Sequence, residues 1–155
     1  MIVVIQRVKS ATVLADGNLS GRIEKGLVLL VGVADTDSEI DAELLAAKVT
    51  KLRIFCDENG KMNRSLSDID GELMVISNFT LLANYKHGNR PEYMKAASPE
   101  IANKLYEYFV KLIRENVENV ATGVFGAHMD ISLECDGPVN IVMDSEVLKK
   151  QKGKQ

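Results

Sequence analysis

The chain has 155 residues, 46% hydrophobic and 26% charged, with a formal net charge of −3. This length and mixture fit one globular domain, and no apolar run approaches the roughly 20 residues a membrane helix needs. The acidic balance excludes a protein that holds nucleic acid by overall positive charge, so an RNA contact has to use a local patch.

The opening MIVVIQRVKS has no basic leader followed by a signal-peptide core, so the expected compartment is the cytoplasm, with no membrane partner. Residues 2–8 and 11–15 read as strands. Asp16-Gly17 is a hairpin turn, and residues 19–23 return as a third strand. The continuous run LVLLVGV at 27–33 predicts a strand covered on both faces. A helix follows, opened by Ser38 with Asp41 three residues on, its buried face expected to carry Ile40, Leu44, Leu45, Val49 and Leu52.

Short strands are expected on either side of the turn Asp57-Glu58-Asn59-Gly60. A buried strand, Leu73-Met74-Val75-Ile76, then runs into SNFTL at 77–81. Residues 82–97 lack periodicity, and a loop that long in a compact domain is more often functional than idle. Ser98-Pro99 starts a second helix, whose buried stripe is read as Ile101, Leu105, Phe109, Leu112 and Ile113. Strict alternation over 129–135 gives a half-buried strand. Asp136-Gly137-Pro138 breaks it, and residues 139–143 resume it.

The order describes an α+β single domain: a curled, mostly antiparallel sheet or barrel with two main helices over residues 1–145, then a basic tail, 146–155. The tail is read as a solvated end. Cys56 and Cys135 have no metal-ligand spacing and are expected to be reduced core residues. Lys86, Arg90, Lys95 and the lysines of the tail are the candidates for a local RNA patch.

Familiar catalytic motifs name no enzyme. His87 and His128 lie far apart and belong to no metal-binding pair, no G-x-S-x-G elbow occurs, and no dinucleotide or Walker glycine pattern is found. No cofactor and no metal is expected. Two features remain. Strand alternation through SNFTL places Ser77, Phe79 and Leu81 on one face and Asn78 with Thr80 on the other. Thr80 is then a nucleophile, an orienting hydrogen bonder or only a good strand former, with no general base in view. The other feature is Gly137-Pro138, which by itself reads as a turn.

Several ordered segments together resemble the D-aminoacyl-tRNA deacylases: MIVVIQRVKSATV, LRIFCDENGKMN, SNFTL, GNRPEYMKAASPE, TGVFGAHM and DGPVN. Two positions depart from the family's pattern, Asn78 standing for the usual glutamine and Asn140 for the usual threonine. The resemblance implies a homodimer with active sites at the subunit interface, each using SNFTL from one chain and a cis Gly137-Pro138 from the other. It implies hydrolysis of the ester between a D-amino acid and the terminal adenosine of tRNA, with glycyl-tRNA a second substrate.

Carried onto this sequence, the catalytic residue is Thr80. The residues for substrate binding and chiral selection are Ser77, Asn78, Phe79, Met129, Gly137 and Pro138. Arg7 would brace the Gly-Pro segment, or else form a surface pair, and Phe125 and Ala127 would line the site. Either Thr80 attacks the ester, or backbone groups position it while the tRNA's 2′-hydroxyl assists water. The alternative reading, favoured by the two departures, is a non-catalytic tRNA- or ligand-binding dimer on the same scaffold.

Overall fold

The computed structural model describes the backbone of residues 1–152 and the side chains of residues 1–149. The elements are β1 (Ile2–Ala15), β2 (Asn18–Ile23), β3 (Gly26–Gly32), α1 (Glu39–Val49), β4 (Phe55–Cys56), β5 (Met62–Arg64), β6 (Glu72–Ser77), α2 (Pro99–Arg114), β7 (Val120–Thr122), β8 (Met129–Asp144) and α3 (Ser145–Lys152). The main sheet runs β2-β1-β3-β6-β7, with β8 on the other side of β1. Pairing is antiparallel around β1 and parallel through β3-β6-β7. Ser20 of β2 donates to the Thr122 carbonyl of β7 at 2.9 Å, which nearly closes the sheet into a barrel.

Two apolar clusters follow from strand alternation. Val28, Met74 and Ile76 meet Val8, Ala11 and Val13 inside the barrel. Leu27, Leu29, Leu73 and Val75 point the other way, onto the helices. This double covering explains the unbroken apolar runs of β3 and β6.

The helices bury faces rotated from those expected. On α1 the buried residues are Asp41, Ala42, Leu45, Ala46 and Val49, whereas Ile40 is exposed and Leu44 only half-buried. On α2 they are Ala102, Leu105, Tyr106, Phe109, Val110 and Ile113, with Ile101 exposed. The buried alanines Ala42, Ala46 and Ala102 accompany a close approach of α1 to α2, and a hydrophobic pattern does not distinguish small from large apolar residues.

The two strands expected within residues 2–15 are one strand, and so are the two expected around Gly137-Pro138. Between the pairs Gln6–Asn140 and Val8–Cys135, residues 136–139 of β8 face only Arg7. The break is a large bulge inside a continuous strand. A second register shift follows in β1, where two steps from Val8 to Ser10 face one step of β8: Ile5 packs toward the helices but Ala11 into the barrel, although a regular strand would put both on one face.

Both cysteines are free but exposed, contrary to the core expectation. Cys56 sits on the two-stranded β4-β5 ribbon outside the main sheet, and Cys135 lies on β8 directly before the bulge. The chain beyond Asp144 does not leave the domain at once. Ser145 is fully buried, and Lys149 pairs with Asp41 of α1 at 2.7 Å. Residues 153–155 of the expected tail lie outside the described residues.

Candidate active site

The parallel strands β3 and β6 end side by side, and the crevice beyond such carboxyl ends is a general place for ligands. Here it is a pocket of about 660 Å³. Val31, Val33 and Ala102 give it apolar walls, and Phe125, Ala127 and Met129 close another side. The N-terminus of the 16-residue α2, at Ser98-Pro99, opens onto it and favours negative charge there.

SNFTL does not continue as a strand. β6 ends at Ser77, Asn78 takes the N-cap position, and Phe79–Leu82 form a 3₁₀ turn. The cause is local: the Asn78 side-chain carbonyl accepts the Thr80 N–H at 3.2 Å and also the Thr80 hydroxyl. Gly32 makes room for the turn, because a Cβ there would lie 2.6 Å from Leu82 Cδ2. The expected alternation of faces therefore fails after Ser77. The turn's geometry leaves its first N–H, that of Phe79, without a partner from the turn itself.

Ser77, Asn78, Phe79 and Met129 come together in this pocket. Met129 lies directly over Gly123, where a Cβ would be 2.3 Å from its sulfur. Thr80 is exposed on the outer side of the turn and is not a wall residue. Its hydroxyl donates to an amide oxygen, which is no base. Phe79 is also largely exposed at the rim, in an edge-to-face contact with Tyr93 at 5.0 Å.

Gly137 and Pro138 are not part of the pocket within this chain. They form the exposed crest of the β8 bulge, joined by a cis peptide bond. Gly137 has φ +153°, and a Cβ there would meet the Val139 nitrogen at 2.3 Å, so only glycine fits. Arg7 is buried beneath the bulge and pairs there with the half-buried Asp136 carboxylate at 3.1 Å. Its Nε also donates to the Asp136 carbonyl at 3.1 Å and its Nη1 to the Ile54 carbonyl, tying the bulge to the β4 segment.

Two pocket residues escape pattern reading. Tyr93 belongs to the aperiodic loop, whose length alone marks it. Tyr106 sits in the buried stripe of α2 and donates to the Val75 carbonyl at 2.8 Å. Burial holds its phenol protonated by raising its pKa well above the ordinary range.

A sequence model described as D-Tyr-tRNA(Tyr) deacylase matches residues 4–144. The chain belongs to this deacylase family. A D-aminoacyl-tRNA deacylase of Caldicellulosiruptor bescii is 51% identical over 146 residues, 94% of this chain and 98% of the relative. One from Flavobacterium johnsoniae is 50% identical over 147 residues, with the same coverage. A solved structure titled c-Myc DNA Unwinding Element Binding Protein superposes with a TM-score of 0.87 at 33% identity, over 93% of this chain and 98% of that one. A probable eukaryotic D-amino acid tRNA deacylase shares the fold, with a TM-score of 0.78 at 15% identity, over 92% and 97%. The matched span of the deacylase family includes both the pocket and the bulge.

Proposed function

We propose that this chain hydrolyses the ester of D-aminoacyl-tRNA, releasing the free D-amino acid and reusable tRNA as a chiral proofreading step in translation. The observation that carries the reading is the pocket at the ends of β3 and β6, walled by Ser77, Asn78, Phe79 and Met129 in a member of the deacylase family. Relatives about half identical over nearly the full length bear the name of that activity.

The step needs little acid–base chemistry from the protein. Water attacks the ester carbonyl, the bond to the ribose 3′-oxygen breaks, and the leaving oxygen takes a proton. The neighbouring 2′-hydroxyl assists the attack. The Phe79 N–H, free of the turn's own bonds, and the N-terminus of α2 stabilise the oxyanion. Asn78 already occupies the Thr80 N–H, which leaves Phe79 as the donor. Thr80 holds the turn's shape through Asn78 and is not the nucleophile, since an amide oxygen cannot take its proton.

Chirality is read by exclusion. One methyl group in an apolar pocket is worth only about 1–3 kcal/mol, too little against the abundance of L-aminoacyl-tRNA, so steric rejection has to do the sorting. Gly137 and Pro138 supply that wall from a second copy of the chain. Their exposure on a bulge braced by Arg7, and their absence from the wall of their own chain's pocket, support this arrangement. Among the described residues β8 pairs only with β1, so its other edge is open, and Ile131 and Val142 are exposed along it, which supports a homodimer. A wall against the L side chain admits glycine, so glycyl-tRNA is a substrate as well. Among the described residues no helix is long and apolar enough to cross a membrane, and a charged-tRNA substrate puts the enzyme in the cytoplasm.

The test incubates the protein, far below substrate concentration, with D-tyrosyl-, L-tyrosyl- and glycyl-tRNA. The expected outcome is many turnovers of the D and glycyl esters with the L ester spared. Protection of all three esters would sink the reading and leave a binding protein.

A further inference from the structure

The loop after the 3₁₀ turn has an organisation that the pocket does not require. Its ends are pinned: Asn84 and Glu92 exchange both backbone hydrogen bonds, at 2.8 and 3.0 Å, and their side chains bond each other. Glu92 also accepts the Met94 N–H at 2.8 Å, and Asn84 accepts the Lys86 N–H at 3.1 Å. Further on, the Lys95 carbonyl accepts the Asp35 N–H at 2.9 Å, which fixes that residue beside the pocket walls Tyr93 and Ala96.

What this frame displays is basic and flat. Lys86, Arg90 and Lys95 are exposed, and among the described residues none has a carboxylate within ion-pair distance. The loop's one acid, Glu92, is engaged by the frame itself. Tyr85 and Met94 are 79% and 83% exposed, far more than a loop gains by packing. A chain of net charge −3 therefore concentrates positive charge and an exposed aromatic ring on the loop that also supplies Tyr93 and Ala96 to its pocket wall. Basic side chains interleaved with exposed aromatics are the surface that holds single-stranded nucleic acid, phosphates on the cations and bases on the rings.

Resting on the deacylase reading, we infer that residues 84–95 form a clamp for the single-stranded 3′ end of tRNA, with Lys86, Arg90 and Lys95 on its phosphates and Tyr85 stacking an unpaired base. The clamp delivers the terminal ester to the pocket and contributes nothing to the chemistry there.

The test compares wild type with Lys86→Gln/Arg90→Gln and with Tyr85→Ala on two substrates, D-tyrosyl-tRNA and D-tyrosyl-adenosine, which lacks the preceding nucleotides. On the tRNA ester, kcat/KM should fall about tenfold for either variant, mainly through KM. The slope of log kcat/KM against log salt should flatten by about 0.7 for each phosphate contact removed. Turnover of the adenosine ester should stay unchanged. Equal losses on both substrates would overturn the clamp and make the loop a pocket wall, and no loss on either would remove it from the RNA path. A changed oligomeric state in the variants would assign the surface to contact between copies. Filter binding of uncharged tRNA at several salt concentrations reads the same slope without turnover, so the clamp and the hydrolytic activity can fail separately.

Discussion

Asn78, the short amide that ends β6, serves here as the cap of a tight turn. Its side-chain carbonyl reaches the Thr80 N–H and hydroxyl because both lie two residues on, within reach of a short side chain. That arrangement sets the expected behaviour of Thr80. Replacing Thr80 with alanine removes one hydrogen bond of about 1 kcal/mol and leaves the backbone cap, so kcat/KM should drop about tenfold or less. Single-turnover kinetics on D-tyrosyl-tRNA measure this, and a loss of about 10⁴-fold in the chemical step would instead restore Thr80 as nucleophile. The pair Asn78 and Thr80 is conspicuous in the sequence as two polar groups ending a core strand. That they cap a turn, and do not share a strand face, depends on Gly32 lying opposite with no side chain.

At the scale of elements, the contact between α1 and α3 concentrates charge. The Asp41 carboxylate is fully buried and accepts the Ser38 N–H at 2.8 Å, the Ser145 hydroxyl at 2.6 Å and Lys149 Nζ at 2.7 Å. Burial alone would raise its pKa, but these donors outweigh that and hold it well below the ordinary value of 3.8. Lys149 is shifted upward, chiefly by its bond to Asp41 and then by Glu146. A depressed carboxylate stabilises the fold fully above its unfolded pKa, and that contribution is lost as pH falls from near 4 through the folded value. The raised lysine contributes fully below about pH 10.4 and is lost above its folded value. Asp41→Asn should therefore cost about 3 kcal/mol between pH 5 and 9, by urea denaturation, and the difference from wild type should shrink below pH 4. A difference independent of pH would show that the shape of the side chain matters and its charge does not. The motif Ser38-x-x-Asp41 made the cap readable, whereas the burial of Asp41 came only with α3 folding back onto α1.

For the molecule as a whole, Gly137-Pro138 is no part of the pocket wall in its own chain, which gives the proposed dimer a sharp consequence. Gly137→Ala should spoil the wall, since its Cβ meets the Val139 nitrogen, and Ala96→Trp should fill the pocket. The Gly137→Ala homodimer should lose its rejection of the L ester, and the Ala96→Trp homodimer should lose turnover altogether. In a re-equilibrated equal mixture half of the sound pockets face a sound bulge, so turnover of the L ester should fall to about a quarter of that of Gly137→Ala alone. Mixing assays with sedimentation to confirm a two-chain mass would decide it, because sites built within a single chain would leave about half.

By itself the sequence determined what near neighbours decide: the hairpin at Asp16-Gly17, the helix starts at Ser38 and Ser98-Pro99, and the apolar runs of β3 and β6. Caps, turns and periodicity act over a few residues, so a linear reading recovers them. Tertiary structure decided which helix faces are buried, that the cysteines lie outside the core, and that two apparent strand breaks belong to one bulged pair. It also decided that Ser77, Asn78, Phe79 and Met129 share a pocket. Those outcomes depend on register and packing between segments distant in sequence. Four residues of β8 loop out opposite Arg7, and the further register shift between Val8 and Ser10 turns the later side chains of β1 to the other face, which only the pairing of the two strands records.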